Sequence, residues 1–255
     1  MTPPGKVVPS PTPGGLAFLD ALGDALAANP PPSRDRAVLR RLARAGVGPG
    51  RHPSKAGLPA DVLDGLVEGL HEARAQIPAQ GRVQILRDAI AGDGWYVPPP
   101  GIGDYGTDYL LRARIAIVGL GANTPHEAIY PVALTDAGGA LLNGAQRYRL
   151  VFAKDSLPPV KAFWSLTVYD GNGFLVANPA RRYAVGDSHP PLVRRADGSI
   201  VVAIQRDRPA QRDVNWLPAP AAGFRLSLRL YRPERSILTG AWKPPPVHRL
   251  MPSAS

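Results

Sequence analysis

Phe224-Arg-Leu-Ser-Leu-Arg-Leu-Tyr231 alternates without a break: Phe224, Leu226, Leu228 and Leu230 fall on one side, Arg225, Ser227, Arg229 and Tyr231 on the other. A period of two marks a strand with one face in an apolar core and one face toward water. A helix of that length would need its apolar residues three and four apart, so the octapeptide reads as β. Outward from it, Gln146–Phe152 repeats the pattern with Tyr148, Leu150 and Phe152. Phe163–Tyr169 sets Trp164, Leu166 and Val168 against Ser165, Thr167 and Tyr169. Ser199–Ile204 follows Asp197-Gly198, and Asn143-Gly144 is a second hairpin-turn signal. Short strands separated by turns predict an antiparallel β-sandwich or jelly roll over residues 94–250.

Upstream of Asn123 the period lengthens to that of a helix. Leu16, Leu19, Leu22 and Leu26 share a helical face that ends before Asn29-Pro-Pro-Pro32. Ser33 is expected to cap a second helix carrying Val38, Leu39 and Leu42 and ending at Gly46. A third helix is expected over 60–77, stopped by Pro78 and followed by a shorter one to Ala91. Thr107 or Asp108 is placed to cap one more, through Leu111, Ile115 and Val118. The expected class is therefore mainly β with an α N-terminal part. Its divisions are an extended leader over 1–15, a helical segment over 16–93, the sandwich over 94–250 and a tail over 251–255.

The chain of 255 residues has 44% hydrophobic and 20% charged residues, an ordinary globular balance. Its 30 prolines and 27 glycines are spread along the sequence, as expected of many turns rather than one linker. The net charge of +10 comes almost wholly from arginine, since there are only five lysines. The arginines form no run of five or more, so a solvated surface is expected rather than a nucleic-acid interface. The absence of cysteine excludes disulfides, zinc–thiolate sites, iron–sulfur clusters and cysteine nucleophiles. The first residues lack the unbroken apolar stretch of a signal peptide and no stretch is long enough to span a membrane, so a cytoplasmic location is expected.

Several motifs resolve into ordinary structure. Gly101-Ile-Gly-Asp-Tyr-Gly106 fits the dinucleotide fingerprint, but it follows prolines and lacks the strand that the fingerprint needs. His126-Glu127 begins like a zinc-protease motif, yet Tyr130 stands where the second histidine belongs. The five histidines, His189 among them, show no pair at metal-ligand spacing, so neither metal nor cofactor is expected. Ser165 is outside any nucleophile elbow. Asp170-Gly-Asn-Gly173 starts like a calcium loop but lacks the later acidic ligand, so it reads as a turn. Trp164 is expected in the core, while Trp216 and Trp242, beside prolines, are left open.

Several blocks carry a resemblance to a known family. They include Gly106-Thr-Asp-Tyr-Leu-Leu-Arg112, Gly119-Leu-Gly-Ala-Asn-Thr-Pro125, Glu127-Ala-Ile-Tyr130 and Ala162-Phe-Trp-Ser-Leu-Thr-Val-Tyr-Asp170. Asn178-Pro179 with Arg182-Tyr183, Asn215-Trp-Leu-Pro-Ala-Pro220, Leu228-Arg-Leu-Tyr231 and Trp242-Lys-Pro-Pro-Pro-Val247 follow in order. From about Gly94 to Leu250 the sequence resembles the domain of unknown function 1214 family. The resemblance implies a jelly-roll-like domain that usually follows a domain of unknown function 1254. That companion is missing here, which implies a separate companion chain, a homo-oligomer or a relic. Relatives with both domains are often exported, and some are loosely labelled hydrolases.

Within these blocks Asn123, Glu127, Tyr130, Asp136, Tyr169, Asn215, Trp216, Arg229 and Tyr231 are the candidate functional residues. If the strand with Arg229 and Tyr231 lies beside the one with Thr167 and Tyr169, their polar side chains share one sheet face. Arginine among tyrosines suits a carboxylate or a sugar hydroxyl, so a small polar ligand is the leading expectation. Asn123, Tyr130, Tyr169, Asn215, Trp216, Arg229 and Tyr231 would form the binding set. The alternative is a hydrolase using Glu127 or Asp136 as acid or base. The plain reading is a solvated face, or an internal pairing of Arg229 with Asp136 or Glu127.

Overall fold

Every alternating segment forms a strand in the structure, a computed structural model that describes residues 14–188 and 192–251. Most of the leader, His189 and residues 252–255 of the tail lie outside the described residues. The strands are β1 (Trp95–Tyr96), β2 (Ala128–Ile129), β3 (Val132–Ala133), β4 (Arg147–Phe152) and β5 (Trp164–Asp170). They continue with β6 (Ala184–Gly186), β7 (Ile200–Gln205), β8 (Asn215–Pro218), β9 (Phe224–Tyr231) and β10 (His248–Leu250).

One sheet has the order β1-β3-β9-β5-β6, with β2 also on β9; the second has the order β10-β4-β7-β8. β9 is the hub of the first. It pairs with β5 from Trp164↔Leu230 to Asp170↔Phe224, and its other edge takes β2 and β3. Leu226, Leu228 and Leu230 of β9 are wholly buried, as are Leu150 and Phe152 of β4 and Ile200, Val202 and Ile204 of β7. These residues of both sheets belong to one apolar cluster, which makes the pair a sandwich. The Phe152 ring lies 5.0 Å from Trp164, and Tyr148 lies 5.8 Å from Phe224, each contact joining the two sheets. Burying one such side chain contributes about 1.5–3 kcal/mol, so this alternation is what specifies the register.

One pairing departs from the antiparallel expectation. β7 and β8 run parallel, Val202 opposite Asn215 through Gln205 opposite Pro218. β7 is buried at five consecutive residues, Ile200 to Ile204, because it lies between β4 and β8 with both faces covered. Residues 206–214 carry the chain from the end of β7 back to the start of β8.

The described residues divide into two compact units, the first made of those up to 79 with 106–109 and the second of 80–105 with those from 110 on. The first holds α1 (Gly15–Ala28), 3₁₀ turns at Ser33–Asp35 and Pro53–Lys55, and α2 (Arg36–Ala43). Gly23 of α1 accepts a hydrogen bond from the Gly50 amide, and a Cβ there would sit 2.0 Å from the Arg51 carbonyl oxygen. Asp20 and Asp24, one turn apart, hold Ser54 and His52 at 2.5 and 2.7 Å. Ser33 is not a helix cap: it lies in the 3₁₀ turn, and α2 starts after it with no side-chain cap. α3 (Ala60–Ala91) is one helix with Pro78 inside it, not two. Good helix formers on both sides, Ala73 to Gln76 before it and Ala79, Gln80, Gln84, Leu86 and Arg87 after it, carry it past the lost amide bond.

α4 (Tyr109–Val118), which belongs to the second unit from Leu110 on, and α5 (Arg235–Leu238) complete the elements. Trp95 is buried and its indole N–H donates to the Pro245 carbonyl at 2.8 Å. No helix among the described residues is long and apolar enough to cross a membrane.

Candidate functional site

The pairing of β5 with β9 brings the polar halves of the two strands onto one face. Ser165 stands opposite Arg229, and Thr167 opposite Ser227, so Thr167 is the diagonal neighbour of Arg229. The Arg229 side chain runs along β5. Its Nη1 donates to Thr167 Oγ1 at 2.5 Å, and its Nη2 donates to the Tyr169 hydroxyl. The guanidinium carbon also lies 5.5 Å from the centre of the Tyr169 ring. Thr167 is buried, while Arg229 and Tyr169 are half-buried. Among the described residues Arg229 has no ion pair, so neither Asp136 nor Glu127 neutralises it.

The same face continues into an aromatic group. Phe163 stacks on Tyr231 at 4.3 Å, and Tyr130 meets the other side of Tyr231 edge-on at 6.0 Å. Asn123 Nδ2 donates to the Tyr130 hydroxyl at 2.9 Å. Burial raises the Tyr130 pKa above its ordinary value, and a hydrogen bond to Tyr231 adds to this. The bond from Asn123 and the charge of Arg229 oppose the rise. The phenol is therefore a neutral donor at neutral pH. Gly103, at φ +80°, lies so close to Asn123 and Thr124 that any Cβ would be 2.7 Å from the Thr124 amide. The glycine-rich stretch thus serves close packing beside the segment that carries Asn123.

Five candidates, Asn123, Tyr130, Tyr169, Arg229 and Tyr231, come together in this way. Asn215 and Trp216 do not, because β8 belongs to the other sheet. Asn215 is buried and its amide is committed: Oδ1 accepts from Val193 N at 2.9 Å, and Nδ2 donates to the carbonyls of Val193 and Val201. It clips the 192–193 segment to the sheet. Trp216 donates its indole N–H to the Gln205 carbonyl at 2.9 Å.

Asp136 is also committed to the fold. It is buried, and Oδ1 accepts from the amides of Gly138 and Ala140 at 3.0 Å each, closing a turn. Glu127 is exposed just before β2. The acid–base reading draws no support from either position. Asp170 likewise closes its turn through the amides of Asn172 and Phe174, and no metal-ligand cluster occurs among the described residues. Phe163 and Thr167 are the members of the face absent from the candidate set. The alternation of 163–169 held the signal, since odd positions share one side.

A sandwich whose outer face presents a fixed arginine between tyrosines is a familiar architecture without a defined chemistry. Residues 127–235 match the model of the family described as Protein of unknown function (DUF1214), the family that the sequence blocks resemble. Among solved structures, the VPA0106 protein from Vibrio parahaemolyticus is similar at 20% identity and a TM-score of 0.65. That match covers 98% of this chain and 59% of the Vibrio chain, so this chain spans little more than half of its relative. A putative uncharacterized protein from Burkholderia cenocepacia matches at 16% identity and a TM-score of 0.38, over 78% of this chain and 47% of the other. A comparison with curated proteins gives no match.

Proposed function

We propose that the outer face around Arg229 binds a small polar ligand bearing a carboxylate. The supporting observation is a half-buried guanidinium held by Thr167 and Tyr169 and lacking a carboxylate partner among the described residues. Those two hydrogen bonds use two of five N–H donors, and the rest suit a two-pronged carboxylate contact. Tyr130 and Tyr231 add hydroxyls beside it, and Phe163, 38% exposed, offers an apolar ring edge. An acidic sugar combines the carboxylate, the hydroxyls and the flat apolar ring face that this set suits.

The test is calorimetric titration with galacturonate, with galactose as the uncharged control. Saturable binding of the acid, weak or absent for the neutral sugar and lost in Arg229→Ala and Tyr169→Phe, is the expected result. Equal binding by wild type and both variants would overturn the proposal. Absence of any binding by wild type would overturn the acidic-sugar form of it.

A further inference from the structure

The return loop between β7 and β8, which lies outside the family-like blocks, borders a second candidate site. A cleft of about 800 Å³ lies beside it, within the size range of small-molecule sites. Arg182, Arg208 and Arg212 line the cleft, Trp216 forms part of its wall, and no acidic residue lines it among the described residues.

Two of these groups are fixed in advance. Asn178 accepts from the Arg182 amide at 3.1 Å and donates to the Arg182 carbonyl at 3.0 Å. Arg182 Nη1 then donates to the Trp216 carbonyl at 3.1 Å, and the Trp216 ring is tethered to the Gln205 carbonyl at 2.9 Å. Arg208 and Arg212 flank Pro209, Ala210 and Gln211 on the exposed loop. Among the described residues neither has an ion pair. Of the two acids that adjoin these arginines in sequence, Asp207 is exposed and does not line the cleft, and Asp213 is engaged with Arg195, whose Nε lies 2.9 Å away but off the line of its N–H bond. Three arginines thus line one concavity that has no acidic residue in its wall among the described residues.

We infer that this cleft is a binding site for a small phosphate monoester with a flat organic body. The phosphate dianion takes the arginines, whose planar forks match its oxygens, and the body lies against Trp216. The site is separate from the Arg229 face: it lies where Val185 of β6, in the first sheet, and Asn215 and Trp216 of β8, in the second, border the return loop, and none of the residues around Arg229 lines it. Two well-placed arginines are enough to separate a phosphate monoester from a neutral aromatic, because each charged hydrogen bond is worth roughly a tenfold change in affinity.

The experiment titrates the full chain with phenyl phosphate, inorganic phosphate and phenol, read by tryptophan fluorescence and by calorimetry. Phenyl phosphate is expected to bind saturably at one site and to perturb Trp216 emission. Inorganic phosphate should bind more weakly, phenol not measurably, and added salt should weaken binding. Arg208→Gln and Arg212→Gln are each expected to cost about tenfold in affinity. Arg182→Gln should cost more. Because Arg182 also ties down the Trp216 backbone, the exposed Arg208 and Arg212 variants decide the matter if the Arg182 variant unfolds. No saturable binding of phenyl phosphate by the intact chain would overturn the inference. So would unchanged affinity in an R208Q/R212Q double variant.

Discussion

Replacing Arg229 with Met tests the logic of the sheet face without touching the core. Met keeps most of the apolar stem and removes the donors. Thr167 is 2% exposed, and among the described residues the bond from Arg229 is the one side-chain hydrogen bond its hydroxyl makes. Left unpaired, a buried hydroxyl costs about 1–3 kcal/mol, whereas the half-exposed Tyr169 hydroxyl turns to water at little cost. The expected loss is about 2 kcal/mol, equivalent to about 4–8 °C in Tm for a chain of this size. Adding Thr167→Val removes the orphaned hydroxyl, so R229M/T167V should regain most of the loss, a coupling visible in a double-mutant cycle. Urea unfolding followed by tryptophan fluorescence is the assay of choice. All four tryptophans, Trp95, Trp164, Trp216 and Trp242, lie in the sheet-bearing unit, so the signal reports that unit alone. An unchanged midpoint in R229M, or a double variant as unstable as the sum of the singles, would refute the reasoning.

Three further outcomes follow from local geometry. Gly144→Ala places a Cβ 1.5 Å from the Pro220 carbonyl oxygen; backbone cannot rotate aside, so a loss of about 3 kcal/mol is expected, and a wild-type midpoint would contradict it. Asp20 should titrate below its ordinary 3.8, chiefly because the Ser54 hydroxyl donates to it. The associated stability is present above pH 3.8 and lost as pH falls through the lower folded value; carboxyl NMR should show Ser54→Ala moving the midpoint back up. Tyr130, its pKa raised mainly by burial from an ordinary 10.0, contributes stability that is complete below pH 10 and lost as pH rises through the higher folded value. Tyr130→Phe should remove that alkaline component from a pH series of unfolding midpoints, and an identical profile would count against it.

β4, β5 and β9 were legible because each has one wet and one dry face, and alternation encodes that difference directly. The Arg229 face was legible for the same reason: once β5 and β9 pair, their odd-numbered residues must meet. The parallel pairing of β7 with β8 was not. Ile200-Val-Val-Ala-Ile204 is apolar throughout, so it records burial on both faces and says nothing of which neighbour supplies it or in which direction. Asn215 entered the candidate set as a polar residue of a family-like block, whereas its partners Val193 and Val201 lie 22 and 14 residues away. Sequence spacing cannot show which backbone groups a buried amide will meet. The arginine-lined cleft was hidden likewise, since Arg182 and the 208–212 loop converge only after both sheets have formed.

The position of β9 at the centre of the six-stranded sheet sets a schedule for folding on the ribosome. β2 pairs with β9 alone, and β3 and β5 each need it on one edge, yet Phe224, which opens β9, lies 54 residues beyond the end of β5 at Asp170 and 96 beyond the start of β2 at Ala128. Until Tyr231 leaves the exit tunnel, Leu166 and Val168 have no β9 leucines to pack beside, and β5 presents an open edge. The nascent chain therefore carries aggregation-prone apolar strands through a long stretch of translation, and slowing synthesis before residue 224 should raise its demand for chaperones.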